Sequence, residues 1–210
     1  MTRKRVIVVV AGAALILVVS LLAASPSGRG SMKQFEPTRL ANLELRMWQA
    51  YYAKQNVRLF ALLVEMLREQ YHYSWATALR EAFHLARAAA TFGNARSNYE
   101  QVLPDLESAY EAAQQWERAG FDPKAVARAE LAWWVARRIP GQNSPAQVGG
   151  LIADEYALLY EVPKPAVEKA ALLRAQAGAL RDAEAARPDW STIERLLRES
   201  YSDLHRALNQ

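Results

Sequence analysis

The chain contains no cysteine, which excludes disulfides, thiolate catalysis and thiolate metal sites. Histidine is nearly as scarce, with three in 210 residues, and no Gly-x-Ser-x-Gly elbow occurs, so nothing in the spacing points to a triad hydrolase. Covalent haem attachment falls with the cysteines, and no pattern singles out His72, His84, His205 or a methionine as a haem ligand. No cofactor is therefore expected. No stretch alternates apolar and polar residues with period two, so no strand is expected either.

A dominant charge of one sign is missing too. The pI near 9.4 suggests a nucleic-acid binder at first sight, but Arg3, Lys4 and Arg5 supply three of the 26 basic residues ahead of residue 25, where there is no acid. That leaves 23 basic side chains against 22 acidic ones. A near-neutral domain with interspersed signs lacks the footprint of a phosphate-backbone partner, so no nucleic acid is expected.

What the sequence does have is one long apolar run, from Val6 to Ala24, directly behind Arg3-Lys4-Arg5. At about 1.5 Å per residue it reaches roughly 28 Å, the thickness of a bilayer's hydrocarbon core. The run reads as a single-pass anchor in the inner (cell) membrane. A cleaved secretory signal is the rival, but its apolar core is usually shorter, and Leu22 and Pro26 spoil the nearest cleavage sites. The basic cluster before the run is tighter than the spread of Arg29, Lys33 and Arg39 behind it, which places the N-terminus in the cytoplasm and exports the domain. Ser25-Pro-Ser-Gly-Arg-Gly-Ser31 is a run of turn formers. The expected layout is an anchor over 1–24, a flexible tether over 25–37 and an all-α domain over 38–210.

Within the domain, Ala, Leu, Glu, Arg and Gln dominate, and apolar residues recur at helical spacing. Helices are expected at about 38–54, 57–71, 75–92, 97–118 with a restart at Pro104-Asp105, 123–138, 145–160, 166–184, and from a capping box at Ser191 and Glu194 to about 208. Ser74, Asp122 and Ser144 read as N-caps, the last two before a proline at the first helical position. Seven or eight helices without a regular period favour an irregular bundle over a degenerate helical-repeat solenoid.

Two Glu-x-x-His pairs, Glu69/His72 and Glu81/His84, have the spacing used by di-iron bundles, with Glu44, Glu130 or Glu155 available to complete a set. Only twelve residues separate the pairs, around a predicted break, and both fall on faces rich in Arg and Glu. The expectation is two solvated faces and no metal. Gly149-Gly150, inside a predicted helix, reads as a close approach to an aromatic of a neighbouring helix.

Six tryptophans and nine tyrosines lie beyond residue 40. Trp133 and Trp134 point about 100° apart on one helix, so one ring is expected to leave the core. With Arg137 and Arg138 one turn on, they are the candidate partner-binding group, able to stack as i,i+4 cation–π pairs. The expected function is a membrane-anchored, helical protein-interaction or accessory subunit whose partner is another membrane or periplasmic protein. The competing expectation is a helical-bundle enzyme, dependent on a metal or cofactor, that uses Glu and His side chains.

Overall fold

The computed structural model describes residues 31–210; the expected anchor over 6–24 and most of the tether lie outside the described residues. Among the described residues the regular structure is entirely helical. The elements are α1 (Pro37–Tyr52), α2 (Asn56–Glu69), α3 (Trp75–Asn94), a 3-10 turn (Tyr99–Val102), α4 (Leu103–Glu117), α5 (Pro123–Ala136), α6 (Pro145–Tyr160), α7 (Lys164–Ala183) and α8 (Trp190–Leu208). No described helix is long and apolar enough to cross a membrane.

The start signals act as their chemistry requires. Ser74 Oγ accepts from Thr77 N at 3.1 Å, Asp122 Oδ1 from Lys124 N at 2.9 Å and Ser144 Oγ from Gln147 N at 3.3 Å. Two starts differ from expectation. Glu36, assigned to the tether, caps α1 through Thr38 N and Arg39 N. The last helix opens at Asp189, not Ser191, because the Asp189 carboxylate reaches both Ser191 N and Thr192 N at 3.1 Å. The domain also begins before residue 38, since Met32 and Phe35 are core residues and Met32 N donates to Glu117.

Each helix packs on its neighbours in sequence, and α8 returns to pack on α1. Short links make successive helices antiparallel, and an even number lets the last meet the first antiparallel as well. The result is an all-α bundle, as expected, whose helices close into a ring instead of stacking as an open solenoid. Closure gives every helix two flanks and an inner face to bury. Alanines fill the flanks, among them Ala41, Ala78, Ala82, Ala127, Ala153 and Ala171, all essentially inaccessible to solvent.

The glycine pair shows how closely the flanks approach. A Cβ on Gly149 would lie 3.0 Å from the Cα of Leu172 in α7, so α6 and α7 touch here backbone to backbone, not through an aromatic ring. Around Gly150 nothing lies within 4 Å. Gly149→Ala is therefore expected to destabilise the domain by about 1–3 kcal/mol through overpacking. Gly150→Ala, which only improves helix propensity, is expected to stabilise it by up to about 1 kcal/mol. Urea unfolding of the two variants measures the difference.

Candidate functional site

The ring surrounds a cavity of about 450 Å³, within the size range of small-molecule sites, and all eight helices contribute to its wall. The inner face of α3 shows its layout. Glu81, Leu85, Ala89 and Phe92 follow one another at helical spacing and all line the cavity, running from a carboxyl near the start of the helix to an aromatic ring near its end. Trp48, Leu59, Leu63 and Met66 add apolar wall, whereas Glu44, Glu130, Glu155, Arg174 and a set of tyrosines form the polar part.

Two of the four glutamates are held firmly. Glu44 accepts from Arg174 Nη2 at 2.5 Å and from Tyr201 OH at 2.6 Å, which joins α1 to α7 and α8. Glu155 accepts from Trp133 Nε1 at 2.5 Å. Arg174 also lies over the Trp133 ring, 4.9 Å from its centroid. Tyr110 OH stands between the remaining groups, 2.8 Å from Glu130 and 3.4 Å from Glu155, and its single proton serves one of them at a time.

Glu81 is different. It is 6% exposed, and its Oε2 is buried without a hydrogen-bond partner among the described residues. No cation lies within ion-pair distance of Glu81, Glu130 or Glu155 among the described residues. Burial pushes the Glu81 carboxyl well above the usual range, and the negative charge of Glu117 and Glu130 adds to the effect. Glu130 is pushed up to about 8 by burial and by Glu155, against the hydrogen bond from Tyr110 and the field of Arg174. Burial raises Glu155 as well, opposed by Arg174 and Trp133.

One rim of the ring carries the C-terminal ends of α1, α3, α5 and α7, drawn together by two arginines. Arg137 Nη2 donates to Tyr52 OH at 3.2 Å, to Gly178 O at 3.2 Å and to Asp182 Oδ2 at 2.7 Å. Gly178 makes this possible, because a Cβ there would sit 3.0 Å from the guanidinium carbon. Arg138 donates to Ala95 O and stacks on Phe92, 3.7 Å from the ring centroid.

The candidate partner-binding group is therefore placed on the cavity. Trp133 is a buried wall residue, Trp134 packs against Phe92 with 5.0 Å between centroids, and Arg137 and Arg138 close the rim. The expected i,i+4 stacks give way to long-range ones: Arg137 faces Trp48, Arg138 faces Phe92 and Tyr99, and Trp133 is taken by Arg174. Trp133 is buried and Trp134 is half-buried.

The Glu-x-x-His residues are not brought together. Helix α2 stops at Glu69, so His72 lies beyond it with φ of 57° and contacts Gln34 O, while Glu69 pairs with Arg39. His84 bonds Asp105 at 2.8 Å, and Arg87 grips the same carboxylate. Burial alone raises the Asp105 carboxyl, but these two donors hold it below its ordinary value. Glu81 corrects the expectation of a solvated face: α3 is rotated so that Glu81 enters the cavity and Phe83 is left 52% exposed. Among the described residues, no group of three His, Asp or Glu is placed to hold a metal ion. None of His72, His84 and His205 lines the cavity.

A raised carboxyl has a definite signature. The neutral form is favoured by folding, so the stabilisation is complete below the unfolded value near 4.5 and is lost as pH rises through about 8 for Glu130. The urea midpoint is expected to fall between pH 6 and pH 9. Glu130→Gln, which keeps an acceptor for Tyr110 and cannot ionise, is expected to flatten that fall.

The chain matches no protein-family model, and neither a curated protein nor a solved structure is similar to it.

Proposed function

We propose that the helical ring is a binding module that encloses a small amphipathic molecule, presented at the membrane by the apolar segment over 6–24. One observation carries this reading: a cavity of about 450 Å³ to which every helix contributes, apolar and aromatic along one part and acidic along the other. A purely structural bundle would fill its axis with side chains, because an unfilled core loses transfer and packing energy. Buried carboxyls are also a poor choice for a core whose only task is to fold.

A protein-docking role would need anchoring side chains on the outer surface. Trp133, Trp134, Arg137 and Arg138 instead build the wall and rim of the cavity, which favours an enclosed ligand over a docked protein. The tryptophans then serve as reporters of occupancy.

N-phenyl-1-naphthylamine, an uncharged aromatic fluorophore, is expected to bind at a single saturable site and to quench the protein's tryptophan emission. Filling the cavity from inside with Ala89→Trp or Leu85→Trp is expected to weaken that binding by at least about tenfold without lowering the melting temperature, since added apolar volume enters empty space. An absence of saturable binding, or binding indifferent to both variants, would contradict the proposal.

A further inference from the structure

We infer that the enclosed molecule carries a protonated amine, with its ammonium donating to Glu81 Oε2 and its apolar body lying along Leu85, Ala89 and Phe92. The inference rests on the binding-module reading and adds the chemical class of the ligand. It begins from an incomplete group: a carboxyl oxygen on the cavity wall, buried, with no donor among the described residues. Native proteins rarely leave such an atom unmatched: as part of a carboxylate it calls for an N–H or O–H donor.

Charge selects between those donors. Arg174 is the guanidinium at the polar part of the cavity, and Glu44 accepts from it through both Nε and Nη2. Glu81, Glu130 and Glu155 have no ion-pair partner among the described residues. An anionic ligand would be repelled once any of the three acids ionised. A neutral alcohol would satisfy the hydrogen bond but leave the charge uncompensated once any of them ionised. A metal ion lacks a converging donor set. An ammonium supplies both the proton donors and the positive charge, and Tyr73 and Tyr110, which line the same cavity, offer aromatic faces of the kind that attract a cation. Glu81 and Phe92 stand eleven residues apart on α3, about 16 Å along the axis, which sets the length available to the ligand.

The chemistry predicts a proton count. Glu130 faces Tyr110 from α4, Glu155 from α6, Arg174 from α7 and Glu81 from α3, while Glu81 faces Glu117 of α4 and Glu130 of α5. Burial shifts Glu81 and Glu130 toward the neutral acid. An incoming ammonium favours the carboxylate, so a bound carboxylic acid and a free ammonium give a carboxylate–ammonium pair and one proton in solution.

The test compares 2-phenylethylammonium with 2-phenylethanol, matched in shape, by calorimetry on the full chain in detergent micelles, in two buffers of different ionisation enthalpy. The ammonium is expected to bind at least about tenfold tighter, to release about one proton at neutral pH and to bind more tightly as pH rises. Glu81→Gln is expected to remove most of that advantage, and saturable binding of N-phenyl-1-naphthylamine, together with the melting temperature, shows whether the variant is folded. Should Glu81→Gln lose the uncharged probes as well, Glu81→Asp, which keeps the charge, is expected to restore preference for the ammonium. Equal binding of the two compounds, or a preference that survives Glu81→Gln, overturns the inference and leaves the binding module standing. Failure of all three probes to bind overturns both.

Discussion

The Glu44 carboxylate holds the two ends of the domain together. Its partners, Arg174 and Tyr201, lie 130 and 157 residues away, on the helices that complete the ring. A buried ion pair is favourable only when every polar atom around it is matched, and losing one partner strands the other charge at a cost of about 3–5 kcal/mol. Here both carboxylate oxygens are occupied, and Arg174 also covers the Trp133 ring. The contact that closes the ring is thus built into the cavity wall, so enclosure and the polar character of the interior are one feature.

Closure explains the rest of the interior. Each helix buries two flanks against its neighbours, and small residues there permit the approach seen between Gly149 and the backbone of Leu172. Large side chains are left to the inner face and the rim, where Trp48, Tyr51, Phe92, Trp133 and Trp134 gather. Burial raises Glu81, Glu130 and Glu155, more than the field of Arg174 offsets at the last two, whereas Asp105, gripped by His84 and Arg87, is held low. Acids of one chemical type are thus divided by their surroundings into carboxyls held low by donors and carboxyls raised by burial.

The helices were legible in the sequence because their signals are local. Ser74, Asp122 and Ser144 cap from the position next to the turn they open, and a proline follows two of them. The cavity was not legible, because ring closure is a relation between residues more than a hundred positions apart. A one-sided view of helix burial puts Phe83 inside and Glu81 outside; in a ring, Ala78 and Ala82 take the flank, the inner face admits a carboxyl, and Phe83 is turned out under Arg87. The same view offers Trp133 and Trp134 a choice between core and surface, when the wall of a cavity is a third place. A usable signal was present in Glu44 and Glu155, each flanked by residues that read as core.

Burial is what shifts Glu81 and Glu130 in the interior toward the neutral acid. Carbon-13 detection of the glutamate side-chain carboxyls through a pH titration of the unliganded protein tests it most directly. The account predicts a Glu130 resonance that titrates near pH 8 and a Glu81 resonance shifted far above the ordinary carboxylate range. Titration of both near the ordinary value of about 4.3 would contradict it.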